Sequence, residues 1–251
     1  MHALKLFLLV CLALPVVVVL SGAVRLGTDY RTADRSSAGL APDPEKTPEA
    51  VVQVYAARVL NWRGLFGVHT WIATKEENAS HYMIHHLTGW RIRRGLRGVV
   101  SAVDIPDRNW FGNRPELLAE LRGPVAAQAI PKILAAAEAY PYAHHYNLWP
   151  GPNSNTFTAY IGRKVPELRL ELPPTAIGKD FLANGSIFDR APSGTGVQLS
   201  LYGMLGLVAA REEGVEINLL GLSFGLDFGR PALKLPFIGR VGASNGNHVG
   251  G

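Results

Sequence analysis

The chain has 251 residues, of which 47% are hydrophobic and 18% charged, and its formal net charge is +5. This length is enough to bury one proper core, and it indicates one globular unit with appendages rather than two full domains. No recognised nucleic-acid-binding motif accompanies the positive charge, so no nucleic-acid partner is expected.

The first 25 residues are typical of an export signal or a membrane anchor. After a basic start, an apolar run extends from Leu6 to Leu20 and can be continued to Val24. The shorter run is typical of a signal peptide cleaved near Ala23, whereas the longer one approaches the roughly 20 residues that span a bilayer. We favour an anchor through residues 3–24 that crosses the inner membrane once, with the globular part in the periplasm. A cleaved protein, soluble in the periplasm, is the alternative.

The next segments predict a tether and then the start of an α+β core over residues 50–190. Residues 26–49 contain Pro, Ser and mixed charge with little apolar content, which indicates a flexible tether. β-branched residues and alternation predict strands within 50–59 and 66–75. Two more strands are predicted in SHYMIHHLTGWRI and GVVSAVDI, which together indicate an antiparallel sheet packed on helices.

Helices are predicted after this sheet. Asn113 is a candidate cap for a helix over RPELLAEL, and a second helix runs through GPVAAQAIPKILAAAEAY, where Pro131 predicts a break or a kink. The Pro, Gly and Asn residues of PYAHHYNLWPGPNS predict a loop, after which NTFTAYIGRKV resumes as a short helix.

The C-terminal part predicts a β-hairpin extension over residues 191–240. Its two halves, GVQLSLYGMLGLVAA and GVEINLLGLSFGLDF, are rich in Gly and apolar residues and are separated by the charged REEG. Neither half is long enough for a spanning helix. We interpret their apolar residues as sheet core rather than as a surface for a membrane or a partner. The tail, 241–251, is predicted to be disordered.

Ser154 is the first candidate for chemistry, because it lies between Asn153 and Asn155 at the predicted first turn of a helix. As a helix cap it would contribute about 1 kcal/mol. As a nucleophile it would use the free N–H groups and the helix dipole to stabilise a developing anion. The only cysteine, Cys11, lies in the N-terminal apolar run, so a nucleophile in the folded part must be an oxygen. A capping box based on Ser154 is missing, since position 157 is Phe.

His69, on a predicted buried strand, is the second candidate. A histidine in this setting is either a hydrogen-bonded structural residue or a general base. His81, His85 or His86, from the neighbouring strand, would be the third member of a triad.

Two blocks of the sequence resemble known proteins. VHTWIATK and NLWPGPNSNTFTAYIGRKVPEL, followed by LPPTAIGKD, resemble an uncharacterised proteobacterial family known only as a domain of unknown function. More distantly, a strand histidine before an N-nucleophile-N-x-F helix start resembles the circularly permuted papain-like fold, which includes NlpC-like peptidases, lecithin retinol acyltransferase relatives and PPPDE-like peptidases. This resemblance implies a permuted papain-like arrangement with His69 as general base and Ser154 at the position of the catalytic cysteine.

This chain departs from those enzymes by having serine where they have cysteine. A thiol with a pKa of about 8.5 is readily ionised by a neighbouring imidazole, whereas a hydroxyl must lose its proton as it attacks. Two classes of function therefore stay open. One is a membrane-anchored envelope hydrolase or acyltransferase acting on an amide or ester. The other is a non-catalytic envelope domain that binds a peptide, glycan or lipid, or that is structural.

The other polar and aromatic residues near these motifs have weaker functional signals. Asn153, Asn155 and Trp149 are candidates for an oxyanion hole or a pocket wall. A metal site is the alternative use of the histidines, from the set His81, His85, His144 and His145. Because no recognised metal-ligand spacing is present, we expect no metal and no cofactor.

Overall fold

The structure is a computed structural model that describes residues 13–243 and 249–250. Predictions for residues 1–12, which include Cys11 and the first part of the apolar run, lie outside the described residues, as do those for 244–248 and 251. Residues 13–20 are helical. Within the described part of the chain, no helix is long and apolar enough to cross a membrane.

The first sheet has six strands, of which one pair is parallel. Its strands are β1 (Val51–Arg58), β2 (Val68–Lys75), β3 (Met83–Leu87), β4 (Val99–Val103), β5 (Glu116–Arg122) and β13 (Val249–Gly250). They lie in the order β13-β5-β1-β2-β3-β4, and β13 runs parallel to β5. The first four strands confirm the predicted antiparallel sheet. The two-residue β13 lies in the tail that was predicted to be disordered.

Helices cover one face of this sheet. They are α1 (Gly89–Ile92), α2 (Gly123–Glu138) and α3 (Ser154–Lys164), and 3-10 turns occur at Pro44–Lys46, Asn61–Leu65 and Pro166–Leu168. Of the break or kink predicted at Pro131, the break is wrong, because α2 continues through this residue. Buried residues of α2 and α3, such as Ile133 and Phe157, share a core with Ile72 of β2.

The opposite face of the first sheet is covered by part of the segment that was predicted to be a flexible tether. Leu40 and Ala41 pack against the cluster around Trp71. The buried Asp107 carboxylate accepts hydrogen bonds from the Ser37 hydroxyl, at 2.8 Å, and from the Ala41 N–H, at 3.2 Å. Residues 37–41 are therefore a packed layer rather than a loose linker.

The predicted helix over RPELLAEL is wrong, because its residues form β5. This strand pairs with β1 from Val51↔Arg122 to Ala56↔Glu116. Leu and Glu favour helix locally, but the pairing satisfies the backbone of β5 and buries Leu118 and Leu121 against the helices. Tertiary contacts have overridden the local preference.

The predicted C-terminal hairpin is a seven-stranded antiparallel meander. Its strands are β6 (Phe188–Arg190), β7 (Gly196–Leu201), β8 (Leu205–Ala210), β9 (Gly214–Leu219), β10 (Leu222–Asp227), β11 (Ala232–Leu235) and β12 (Gly239–Gly242), and they lie in chain order. We call it the second sheet. Each of the two sequence segments that were interpreted as single strands bends back at a tight turn and forms two. The α+β class is confirmed.

Candidate functional site

Helix α3 is capped by Asn153, one residue before the position that the sequence suggested. The Asn153 Oδ1 accepts hydrogen bonds from the N–H groups of Asn155, at 2.9 Å, and Thr156, at 3.2 Å. The Thr156 hydroxyl accepts one from the Asn153 N–H at 3.1 Å. These reciprocal bonds form a capping box based on Asn153, one residue before Ser154, the position at which the sequence showed none. Ser154 is the first residue of the helix and not its cap.

Ser154 is buried, and its hydroxyl has a phenol as partner. Burial raises the pKa of Tyr146, and the hydroxyl and N–H of the neighbouring Ser154 partly oppose that rise. A phenol with a raised pKa is not a base at neutral pH. The Ser154 carbonyl accepts a hydrogen bond from the Thr70 hydroxyl at 3.3 Å. These contacts hold Ser154 in place at the start of α3.

His69 lies on the other face of the first sheet. Successive side chains of a strand point to opposite faces, and Thr70 is the residue of β2 that points to α3. The His69 ring stacks on Trp110 with centroids 3.9 Å apart and planes 8° apart. Its Nε2 lies 3.1 Å from the His86 Nδ1. The structure thus does not bring His69 to Ser154, and the predicted pair of nucleophile and base is not formed.

The histidines that were candidates for a third catalytic member have separate surroundings. His86 contacts His69, and burial lowers the pKa values of both, that of His86 to about 4. Two neutral rings therefore share one hydrogen bond. His85 lies on the helix-facing side, between the hydroxyls of Thr74, at 2.8 Å, and Ser101, at 2.9 Å.

The alternative metal site is not assembled. His81, His144 and His145 are exposed in loops, whereas His85 is buried between two hydroxyls. Within residues 13–243 and 249–250, no three His, Cys, Asp or Glu side chains are grouped as metal ligands.

Ser154 lies at the wall of an open cleft of about 300 Å³ that is mostly apolar. Trp149, which the sequence suggested as a pocket wall, does line it, and it is 47% exposed. The other apolar walls include Trp62, Phe66, Leu148, Ile177, Leu220 and Leu222. Sequence reasoning missed these residues. A detectable signal was the NWRGLF segment, where Trp62 and Phe66 are four residues apart, and their rings meet edge to face at 6.1 Å.

The asparagines that flank Ser154 hold one wall of the cleft. The side-chain amides of Asn153 and Asn155 both donate to the Ile177 carbonyl, at 2.9 and 2.8 Å. Gly178 comes next, with φ +94°, and a Cβ there would lie 2.3 Å from the Asn153 amide nitrogen. This close approach requires glycine. The two asparagines therefore position the cleft and are not arranged as an oxyanion hole.

The opposite wall is tied to the second sheet. The Trp149 indole donates a hydrogen bond to the Leu220 carbonyl at 2.9 Å, in the turn between β9 and β10. Gly221 follows with φ +84°, and a Cβ there would lie 2.9 Å from the indole nitrogen. The cleft is thus formed between helix α3 and the β9–β10 turn at one end of the second sheet's strands.

A family model described as "Protein of unknown function (DUF3750)" matches residues 49–181. The chain belongs to this family. The match includes the first sheet except β13, helix α3 and the loop through Gly178, and it ends before the second sheet begins. No curated protein and no solved structure matches the chain. The predicted uncharacterised family is therefore confirmed, while the papain-like relationship is not.

Proposed function

We propose that this chain is a non-catalytic ligand-binding domain whose cleft accepts an apolar chain or ring. The observation that carries the proposal is the lining of the cleft: three large exposed side chains, Trp62, Leu148 and Trp149, surround a space of about 300 Å³. Ligand pockets are mostly apolar with a few polar groups that fix orientation. Here the hydroxyls of Ser154 and Tyr146 are such groups.

The dimensions and charges of the cleft favour a small amphiphile. Ligand pockets range from about 300 to 1,000 Å³, so this one suits a single hydrocarbon chain or one ring system. The Arg63 guanidinium lies 4.8 Å from the centroid of the Trp62 ring, at the rim. An anionic head group at this rim would meet a positive charge while its chain enters the cleft.

The geometry supports binding better than the hydrolase or acyltransferase alternative. Catalysis by Ser154 needs a base within hydrogen-bond reach, whereas the neighbour of the Ser154 hydroxyl is the Tyr146 phenol, whose pKa is raised by burial. His69, the predicted base, is stacked on Trp110 across the sheet.

The proposed place of this domain is the surface of the inner membrane, with the globular part in the periplasm. The apolar run from Leu6 to Leu20 supports attachment to a membrane.

Quenching of tryptophan fluorescence by 12-bromododecanoate tests the proposal, because bromine quenches an indole only at close range and Trp62 and Trp149 line the cleft. We expect saturable quenching with one site. Leu148→Asp should raise the Kd at least about tenfold, since it places a charge on an apolar wall. Leu134→Asp, on the exposed side of α2, is the matched control and should change nothing. Quenching that does not saturate, or that is equal in both variants, would contradict the proposal. A fluorophosphonate adduct at Ser154 would favour the hydrolase instead.

A further inference from the structure

In the second sheet, apolar side chains face outward and polar side chains face inward, which is the reverse of an ordinary half-buried sheet. Alternation places one set of residues outward, and these outward residues form what we call the outer face. One row of it is Phe188, Leu199, Leu207 and Ile217, paired across β6 to β9. These four are between 44% and 57% exposed. Antiparallel sheets with one solvated face normally carry polar residues there.

The same apolar character extends across all seven strands. A second row, also paired strand to strand, contains Val197, Val215, Leu226, Leu233 and Val241. Each of the five is more than 40% exposed. The charged residue of this row is Arg190, on the edge strand β6.

The inward residues of the second sheet are polar and are satisfied where they lie. Lys234 is fully buried, and its ammonium lies 2.6 Å from carboxylate oxygens of both Glu216 and Glu171. Gln198 is also fully buried and donates to the Asp180 carboxylate at 2.7 Å. If the sheet were turned over, these charged groups would lose their buried partners. The apolar side chains therefore lie on the outside.

The outer face has a large apolar area for a solvent-exposed surface. Seven strands at about 4.8 Å spacing, each of three to six residues, give an area on the order of 500 Å². The largest apolar patches on soluble monomers are of about this size and are often functional. No described residue covers the rows named above, so the earlier interpretation of these side chains as sheet core is wrong.

The N-terminal helical segment, residues 13–20, continues this apolar surface. Its Val18 is buried in one cluster with Phe237, and Leu222 of β10 packs against that cluster. Its Val16 and Leu20 are exposed, at 56% and 81%. This segment is the end of the apolar run that begins at Leu6 and that predicts a membrane anchor.

We propose that the outer face of the second sheet rests on a lipid bilayer, beside the point where the N-terminal apolar segment reaches the body of the protein. A bilayer accepts both the flat sheet face and the exposed residues of the helical segment in one apolar medium. A second copy of the chain that covered only the sheet would leave Val16 and Leu20 in water. Tyr202 and Phe228, exposed at opposite ends of the strands, are suited to the interfacial region.

Depth-dependent quenching in vesicles tests this contact on the full chain. In a Cys11→Ser background, a nitrobenzoxadiazole label is placed through Leu207→Cys or Ile217→Cys, with Leu134→Cys on α2 as the matched control. The protein is reconstituted in phosphatidylethanolamine and phosphatidylglycerol vesicles, with or without brominated acyl chains. We expect the brominated lipid to quench the two labels on the outer face and to leave the label on α2 unchanged.

A further variant separates contact by the sheet from attachment through the N-terminus alone. Ile217→Asp should remove most of the quenching of the label at position 207, whereas Leu134→Asp should preserve it. Because Ile217 is 57% exposed, its change leaves the core intact, and circular dichroism checks this.

Two outcomes would overturn the proposal. Labels on the outer face that stay water-exposed and unquenched in vesicle-bound protein would show that the sheet does not touch the bilayer. Labels shielded without vesicles, in a manner that depends on protein concentration, would show that a second copy covers the face.

Discussion

At the scale of single residues, the candidate site is decided by the alternation of side chains along β2. Thr70 points to helix α3, where its hydroxyl lies 2.9 Å from that of Thr158. His69, its neighbour, therefore points to the other face and stacks on Trp110. A shift of one residue in this strand would have exchanged the two, and the sequence motif alone does not define which residue faces the helix.

This placement predicts the reactivity of a thiol at position 154. In Ser154→Cys with Cys11 replaced by serine, the rate of alkylation by iodoacetamide at pH 7 should be insensitive to His69→Gln. The reason is that His69 lies across the sheet from the thiol. Tyr146→Phe, by contrast, should change the rate, because the Tyr146 hydroxyl contacts Ser154. A tenfold loss of rate in the His69 variant would mean that the imidazole reaches position 154 after all.

His85 predicts a loss of stability in mild acid. Burial lowers its pKa from 6.5 to about 4 in the folded protein. Between these values the unfolded chain binds a proton that the native chain does not. The contribution of His85 to the free energy of unfolding is therefore fully present above pH 6.5 and is lost as the pH falls towards 4.

The measurement for His85 is the free energy of unfolding by urea at pH 7 and pH 4.5. The wild type should lose about 2 kcal/mol more than His85→Gln over this interval. Glutamine retains a donor and an acceptor for Thr74 and Ser101 but does not titrate. Equal losses in the two proteins would show that His85 is not held neutral by its surroundings.

At the scale of elements, the parts that were predicted correctly are those whose pattern is local. β1 and β2 follow from alternating and β-branched residues, and α3 follows from the turn residues before it. The cap was assigned one residue late, since Asn153 and Ser154 are both good caps and only the fold selects Asn153. β5 was missed because its partner is β1, more than 50 residues earlier in the chain, and that pairing leaves no local signal.

The second sheet shows the same limit of sequence reasoning. Its alternating pattern is visible in VEINL and GVQLSL, but alternation does not say which set of residues faces inward. The apolar set was assigned to the core by the usual rule. The structure buries Glu216 and Lys234 instead, because Glu171 and Lys179 from the loops below supply opposite charges.

Lys234→Met tests whether the buried charges stabilise this sheet. Removing the ammonium leaves the carboxylates of Glu171 and Glu216 short of a buried partner, so we expect a loss of about 3–5 kcal/mol in the free energy of unfolding. Leu233→Ala, at the next residue on the outer face, should cost less than about 1 kcal/mol, since that side chain is 44% exposed. Similar losses in the two variants would show that the buried Lys234 ammonium stabilises the sheet no more than an exposed leucine does.

At the scale of the whole molecule, the cleft and the outer face meet at one turn. Leu220 and Leu222 line the cleft, and Leu222 also packs beside the N-terminal helical segment. A domain resting on a bilayer by its outer face would therefore have its cleft at the rim of the contact. An amphiphile from the membrane would then have a short path to the cleft.

Ligand binding by the cleft and membrane contact by the outer face should nevertheless be lost in different variants, because the two surfaces use different side chains. Trp62 belongs to the 3-10 turn after β1 and lies outside the second sheet, whereas Ile217 is on the outer face and does not line the cleft. Trp62→Ala should raise the Kd for 12-bromododecanoate, measured by quenching of Trp149, about tenfold through the loss of apolar contact. It should leave the brominated-lipid quenching of a label at Leu207→Cys unchanged. Ile217→Asp should do the reverse. If either variant impaired both measurements while circular dichroism remained native, ligand binding and membrane contact would have to use one common surface.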